Sequence, residues 1–203
     1  LAAAGVLFSP MGAVQAKNTT TDIAMPVAPQ AKPGPRVALQ TSAGRIVIEL
    51  YPDKAPRTVE NFLAYVQSGH YNGTVFHRVI SDLLIQGGAF TADLRQKPER
   101  AAIANEAGNG LSNLRGTIAA ARRIGEKDSA TAQFFINTVD NPQLDHVSDA
   151  SPYTAGHAVF GRVVEGMDVI DRIRKVATTA RAPLPGDVPT TPIVVERAER
   201  SED

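Results

Sequence analysis

From residue 37 onward the hydrophobic positions alternate. Val37 and Leu39, then Ile46, Ile48 and Leu50, are separated by polar neighbours, and Ser42-Ala43-Gly44 stands between the two runs. A period of two on either side of a turn predicts a β-hairpin with one buried face. After Pro52 the period changes. Val59, Phe62, Leu63 and Val66 fall at i, i+3, i+4 and i+7, one face of a helix. Thr58 is the expected N-cap and Gly69 the expected stop. Asn72-Gly73 is a strong turn signal. Short β-like runs follow at 74–80, 83–86, 117–121, 133–138 and 158–164. A second helix fits 167–176, with Val169, Ile170, Ile173 and Val176 on its apolar side, and 193–197 reads as a last strand. Many short strands with turn signals predict a closed barrel or a sandwich. In a barrel the two helices would plug the ends.

Two stretches break the pattern. Residues 91–116 have weak periodicity and much Asn and Gly (Asn105, Gly108, Asn109, Gly110, Asn113 and Gly116). A loop of that length in one domain is commonly functional. Residues 17–35 are polar and then proline-rich, with Pro26, Pro29, Pro33 and Pro35, and read as an extended tail or linker. Ahead of them, residues 1–16 are small and apolar, break at Ser9-Pro10 and close on Val14-Gln15-Ala16. That resembles the hydrophobic and cleavage regions of a secretory leader, which predicts cleavage near Ala16 and a periplasmic or extracellular protein. A membrane anchor is disfavoured, because a span needs about 20 apolar residues and Pro10 interrupts the run. The expected organisation is therefore a leader at 1–16, a tail at 17–35, a globular domain at 36–199 and a short end at 200–203.

Composition narrows the chemistry. The chain has 203 residues, 43% hydrophobic and 21% charged, with 21 basic and 21 acidic side chains and no cysteine. The balanced charge gives no bulk electrostatic case for nucleic acid or an anionic surface. The absence of cysteine removes disulfides, thiol catalysis and Cys-ligated zinc. His70, His77, His146 and His157 form no helical zinc pair, so no metal site is expected. Gly108-x-Gly110 lacks the third glycine and setting of a phosphate loop, and no G-x-S-x-G elbow occurs. What stands out is 76–88, FHRVISDLLIQGG, where Arg78 and Gln86 bracket an apolar run.

That run belongs to a longer collinear pattern. It comprises Tyr71-Asn72-Gly73-Thr74, Phe76-His77-Arg78-Val79-Ile80, Ile85-Gln86-Gly87-Gly88, Arg115-Gly116-Thr117-Ile118, Gln133-Phe134-Phe135-Ile136-Asn137, Leu144-Asp145 and His157-Ala158-Val159-Phe160-Gly161-Arg162-Val163. From about residue 37 to 197 the sequence resembles the cyclophilins, peptidyl-prolyl cis/trans isomerases, and most of all their exported bacterial members. The resemblance implies a mainly β fold, a closed eight-stranded antiparallel barrel capped by two α-helices. It also implies an activity that needs no cofactor. Rotation about an X-Pro bond is opposed by partial double-bond character, a barrier of roughly 18–20 kcal/mol. Lowering it takes a fixed donor aimed at the prolyl nitrogen as its lone pair localises in the twisted state. By resemblance Arg78 is that donor, and Gln86 holds the arginine and the substrate carbonyl. Phe135, Leu144, Leu83 and Leu84 wall the proline ring with Gln143, His157 borders the pocket, and backbone groups near Ala121 and Arg122 bind the substrate chain. Alternation turns His77 away from Arg78, as a structural residue.

The sequence departs from the family at the pocket. Leu83 stands where Phe is usual, Leu84 and Ala120 where Met is common, and Gln143 where an aromatic is expected. Each lost ring or thioether costs about 1 kcal/mol of apolar contact. The expected protein is thus an isomerase of exported proline-containing polypeptides with reduced activity, a monomer, and a poor binder of cyclosporin. The alternative is a proline-binding chaperone or scaffold module on the same barrel. A ligand-binding barrel unrelated to proline is a third and weaker reading.

Overall fold

The first predicted hairpin closes a barrel. The computed structural model describes residues 34–201, so the leader-like run and nearly all of the tail lie outside the described residues. Strands β1 (Arg36–Thr41) and β2 (Gly44–Leu50) pair antiparallel with Val37 opposite Ile48 and Leu39 opposite Ile46, all four fully buried. The turn is fastened by Thr41, whose hydroxyl donates to the Gly44 carbonyl and accepts the Ala43 amide. The remaining barrel strands are β3 (Thr74–Ile80), β4 (Leu84–Thr91), β5 (Thr117–Ala120), β6 (Phe134–Asn137), β7 (Val159–Glu165) and, at the end, β10 (Val194–Ser201). They close in the order β1-β10-β3-β4-β6-β5-β7-β2, every neighbour antiparallel. Closure leaves no unpaired sheet edge. β10 continues to Ser201, opposite Arg36, so the domain runs past the expected boundary at 199.

Helix α1 (Pro56–Gln67) buries Val59, Phe62, Tyr65 and Val66 against the barrel interior. Leu63, on the predicted face, is only partly buried beside them. Thr58 is not the N-cap. Pro56 opens the helix, where a missing N–H costs nothing, and Ala55 occupies the cap position without a side-chain bond. The stop is as expected. Gly69 has φ +68°, its amide bonds the Val66 carbonyl, and the His70 amide bonds that of Tyr65. That 5→2 and 6→1 pair is a Schellman motif, which requires the left-handed conformation glycine adopts freely.

Helix α2 (Met167–Ile173) also faces the core, through Val169, Ile170 and Ile173. It ends earlier than the periodicity predicts. The chain leaves through turn bonds from Lys175 to Arg172 and from Val176 to Ile173, and Val176 keeps its apolar contact without being helical. Beyond it lies a hairpin absent from the sequence prediction, β8 (Thr178–Arg181) paired with β9 (Leu184–Pro189) as a separate two-stranded sheet.

Candidate active site

The site begins with an irregularity in β3. Phe76 faces Gly87 and Arg78 faces Gln86, so two steps along β3 match one along β4, and His77 is the extra residue of a β-bulge. Strict alternation therefore fails here, and both His77 and Arg78 border the same groove. His77 is nonetheless buried, its ring packed edge-on to Phe90 at 4.7 Å. Burial pushes its pKa down to about 4, so the imidazole beside Arg78 is neutral at pH 7. Arg78 itself is half exposed, and its Nε lies 3.5 Å from Asp187 Oδ2. On the facing strand Gly88 has φ +97°, and a Cβ there would come within 2.7 Å of the Ala132 carbonyl, so the Gly87-Gly88 pair belongs to the geometry of this sheet.

The groove measures about 1140 Å³ and is bordered by Arg78, Gln86, Leu83, Leu84, Ala121, Arg122, Phe135, Gln143, Leu144 and His157, whereas Ala120, expected at the pocket, is buried in a separate cluster with Ala107, Ala130 and Ala158. Its floor belongs to one apolar cluster in which Leu84, Ala119, Ala121, Phe135 and Val159 are buried; Leu84, Ala121 and Phe135 reach the groove, with the partly buried Leu83 and Leu144 beside them. His157 stands edge-on to Phe135, ring centroids 5.2 Å apart, with Nδ1 bonded to the Ala120 carbonyl at 3.1 Å. A carbonyl oxygen only accepts, so Nδ1 carries the hydrogen. Burial lowers the His157 pKa and favours this neutral form.

Leu144 is held from both sides. Its carbonyl takes the His157 amide, and the adjacent Asp145 carboxylate accepts Ser112 Oγ, the Asn113 amide and Asn113 Nδ2. Burial works to raise the Asp145 pKa, but those hydrogen bonds outweigh it and hold the carboxyl below its usual range. The Asn- and Gly-rich stretch thus replaces a regular ladder with amide side chains. Asn105 donates to the carbonyls of Ala155 and Gly156, and Asn109 donates to that of Val159 while accepting the Leu111 amide.

One contact differs from the expectation, and two others detail the wall. Gln86 donates to Gln133 Oε1 at 2.9 Å, and its amide makes no hydrogen bond to Arg78 among the described residues. The Ala121 amide is engaged by the Gln133 carbonyl, and the Arg122 guanidinium is spent on the carbonyls of Gly156 and Pro152. The N–H of Ala121 and the side chain of Arg122 therefore help build the groove wall. Gln143 donates to Asn141 Oδ1 at 3.0 Å and fills the place of the missing aromatic with a bonded amide. Gln133 stands in the quoted family pattern without an assigned role in the site, and the sequence carries no signal for Leu184, Pro185, Gly186 and Asp187, which border the groove from β9.

A barrel of eight antiparallel strands with a cation beside a buried aromatic floor matches a known class in fold. Two solved forms of a Cryptosporidium parvum cyclophilin type peptidyl-prolyl cis-trans isomerase, one crystallised in the presence of the dipeptide Ala-Pro, superpose with TM-scores of 0.67 and 0.66. Each covers 83% of this chain and 98% or 99% of its own, at 22% identity. The sequence comparison reaches further. Residues 36–200 match the family described as cyclophilin type peptidyl-prolyl cis-trans isomerase/CLD, and the chain belongs to that family. It is 58% identical over 163 residues to peptidyl-prolyl cis-trans isomerase cyp18 of Streptomyces antibioticus, spanning 80% of this chain and 96% of the relative. It is 52% identical to peptidyl-prolyl cis-trans isomerase A of Dickeya dadantii (80% and 83% covered) and 49% identical to peptidyl-prolyl cis-trans isomerase B of Escherichia coli (82% and 99%).

Proposed function

We propose that this protein catalyses cis/trans isomerisation of X-Pro peptide bonds, with Arg78 as the donor that meets the prolyl nitrogen in the twisted state. The observation that carries the reading is the placement of the Arg78 guanidinium at the edge of a groove whose floor is Phe135, Leu84 and Ala121. A proline ring set on that floor is desolvated, and the amide it belongs to is brought beside a permanently charged donor. Rotation needs no nucleophile and no proton transfer. The site has to favour the amide out of conjugation over the planar form, and a fixed cation that interacts with the nitrogen only when its lone pair is localised does that. Leu83, Leu144 and His157 border the ring, and the Gln86–Gln133 amide pair offers donors and acceptors to the flanking carbonyls.

The substrates are exported polypeptides in the course of folding, and the compartment is the periplasm. The leader-like composition of residues 1–16 and the absence of cysteine support this. The protein acts as a monomer and binds cyclosporin poorly, because Gln143 offers an amide where an aromatic would pack. Exchange NMR on an Ala-Pro tetrapeptide tests the activity. Exchange far faster than the uncatalysed tens to hundreds of seconds is expected. Binding without acceleration would instead mark a proline-binding module, the reading that the altered walls at Leu83 and Gln143 would then favour. Fractionation of cells expressing the full chain tests the compartment, with recovery in the periplasmic fraction expected.

A further inference from the structure

The β8–β9 hairpin reaches the catalytic end of the groove. Its outer strand β8 is exposed along its whole length, but β9 is anchored. Val188 is buried with Val75 and Leu94, and Leu184 packs on the same cluster beside Phe90. The first half of β9, Leu184, Pro185, Gly186 and Asp187, borders the groove together with Arg78. Asp187 holds φ +61°, a left-handed conformation rare for residues other than glycine and most accessible to Asp and Asn. From that backbone its carboxylate meets Arg78 on the Nε side, at 3.5 Å. It is the polar partner of Arg78 among the described residues, since Gln86 is turned to Gln133.

We propose that Asp187 is a positioning residue for Arg78. This rests on the reading of Arg78 as the donor. A flexible side chain on a three-methylene stem that is half exposed samples many rotamers, and each wrong one removes the donor from the prolyl nitrogen. A carboxylate on the Nε edge fixes the plane of the guanidinium while leaving both terminal amino groups directed to the substrate. The apolar start of β9, Leu184 and Pro185, walls the same end of the groove. The hairpin is thus part of the active site, and its role is to orient the cation.

A half-exposed pair at this distance is weak, so the effect on rate is modest: about two- to fivefold. The test is exchange NMR on a neutral Ala-Pro peptide with Asp187→Asn, Asp187→Glu, Arg78→Ala and the Arg78→Ala/Asp187→Asn double variant. The Arg78 Nε–H resonance is followed in ¹⁵N spectra and identified by its loss in Arg78→Ala. Asp187→Asn is expected to lower the saturated exchange rate by about two- to fivefold with peptide affinity unchanged. The Nε–H resonance shifts, Asp187→Glu restores part of the rate, and the difference from wild type shrinks in about 1 M salt, where an exposed pair is screened. In the Arg78→Ala background Asp187→Asn changes nothing.

A wild-type rate with an unmoved Nε–H resonance would overturn the proposal, as would the same fractional loss without Arg78. A rate that rises in Asp187→Asn would overturn it in favour of a contact that restrains the enzyme. If the wild-type protein itself failed to accelerate exchange, the isomerase reading would fall, and this proposal with it. Failure at Asp187 alone leaves the reading of Arg78 standing.

Discussion

The Glu106 carboxylate accepts both the amide and the hydroxyl of Thr58, at 2.8 and 2.7 Å, across 48 residues of chain. It also takes the Arg57 amide at 3.2 Å. The first turn of α1 therefore has its free N–H groups satisfied by the long Asn- and Gly-rich stretch, and a negative charge lies at the positive end of the helix. Glu106→Ala is expected to cost about 2 kcal/mol and lower the melting temperature by about 4–8 °C. Glu106→Gln keeps one acceptor and loses about half as much. Thermal unfolding followed by circular dichroism checks both, and an unchanged melting temperature for the alanine variant would mean that the helix start is stabilised from elsewhere.

His77 makes the fold sensitive to acid. Its pKa is held down to about 4 in the folded protein by burial, against about 6.5 when unfolded. The native state stays neutral where the unfolded chain takes up a proton. The stability this group contributes is thus fully present above pH 6.5 and is lost as pH falls from 6.5 to 4, by up to roughly 3 kcal/mol. Burial lowers His157 and His70 as well, which adds to the same slope. Urea unfolding at stepped pH should show this loss. His77→Phe, which keeps a ring against Phe90 and removes an imidazole whose Nδ1 has no hydrogen-bond partner among the described residues, should flatten it in part. A His77→Phe profile identical to wild type would place the acid sensitivity in other groups.

The amide of Gln143 is expected to limit affinity for proline peptides. Gln143→Phe gives up one hydrogen bond to Asn141 at the groove rim and gains an aromatic surface over the floor. It is expected to tighten proline-peptide and cyclosporin binding by about five- to tenfold, the equivalent of roughly 1 kcal/mol or slightly more. Calorimetric titration of both variants measures this directly. Equal affinities would show that the wall at 143 lies outside the contact.

The features that sequence revealed are those with a local cause. The β1–β2 hairpin follows from alternation of Val37, Leu39, Ile46 and Ile48, and the α1 stop from Gly69. The cluster of Arg78, Gln86, Phe135, Leu144 and His157 in one groove was legible only through the family pattern, because no spacing rule joins residues from different barrel strands. The misses have non-local causes. His77 shares the groove with Arg78 because of a bulge, which alternation does not encode. The cap of α1 comes from Glu106, far outside the window in which a cap is sought. The β8–β9 hairpin had no apolar alternation to betray it: Thr178–Arg181 is exposed throughout, and Val188 and Leu184 supply its hold on the barrel. The partner of Arg78 stayed hidden with it.

The most direct test is the exchange rate of an Ala-Pro peptide, measured by NMR for the wild-type protein and for Arg78→Ala alongside their melting temperatures. Arg78 is half exposed, so its truncation should leave the melting temperature within about 2 °C of wild type. The isomerase reading predicts strong acceleration by the wild type and a loss of at least about 100-fold in the variant, the effect of removing a preorganised donor. An Arg78→Ala protein that is folded and still accelerates exchange like the wild type would contradict it.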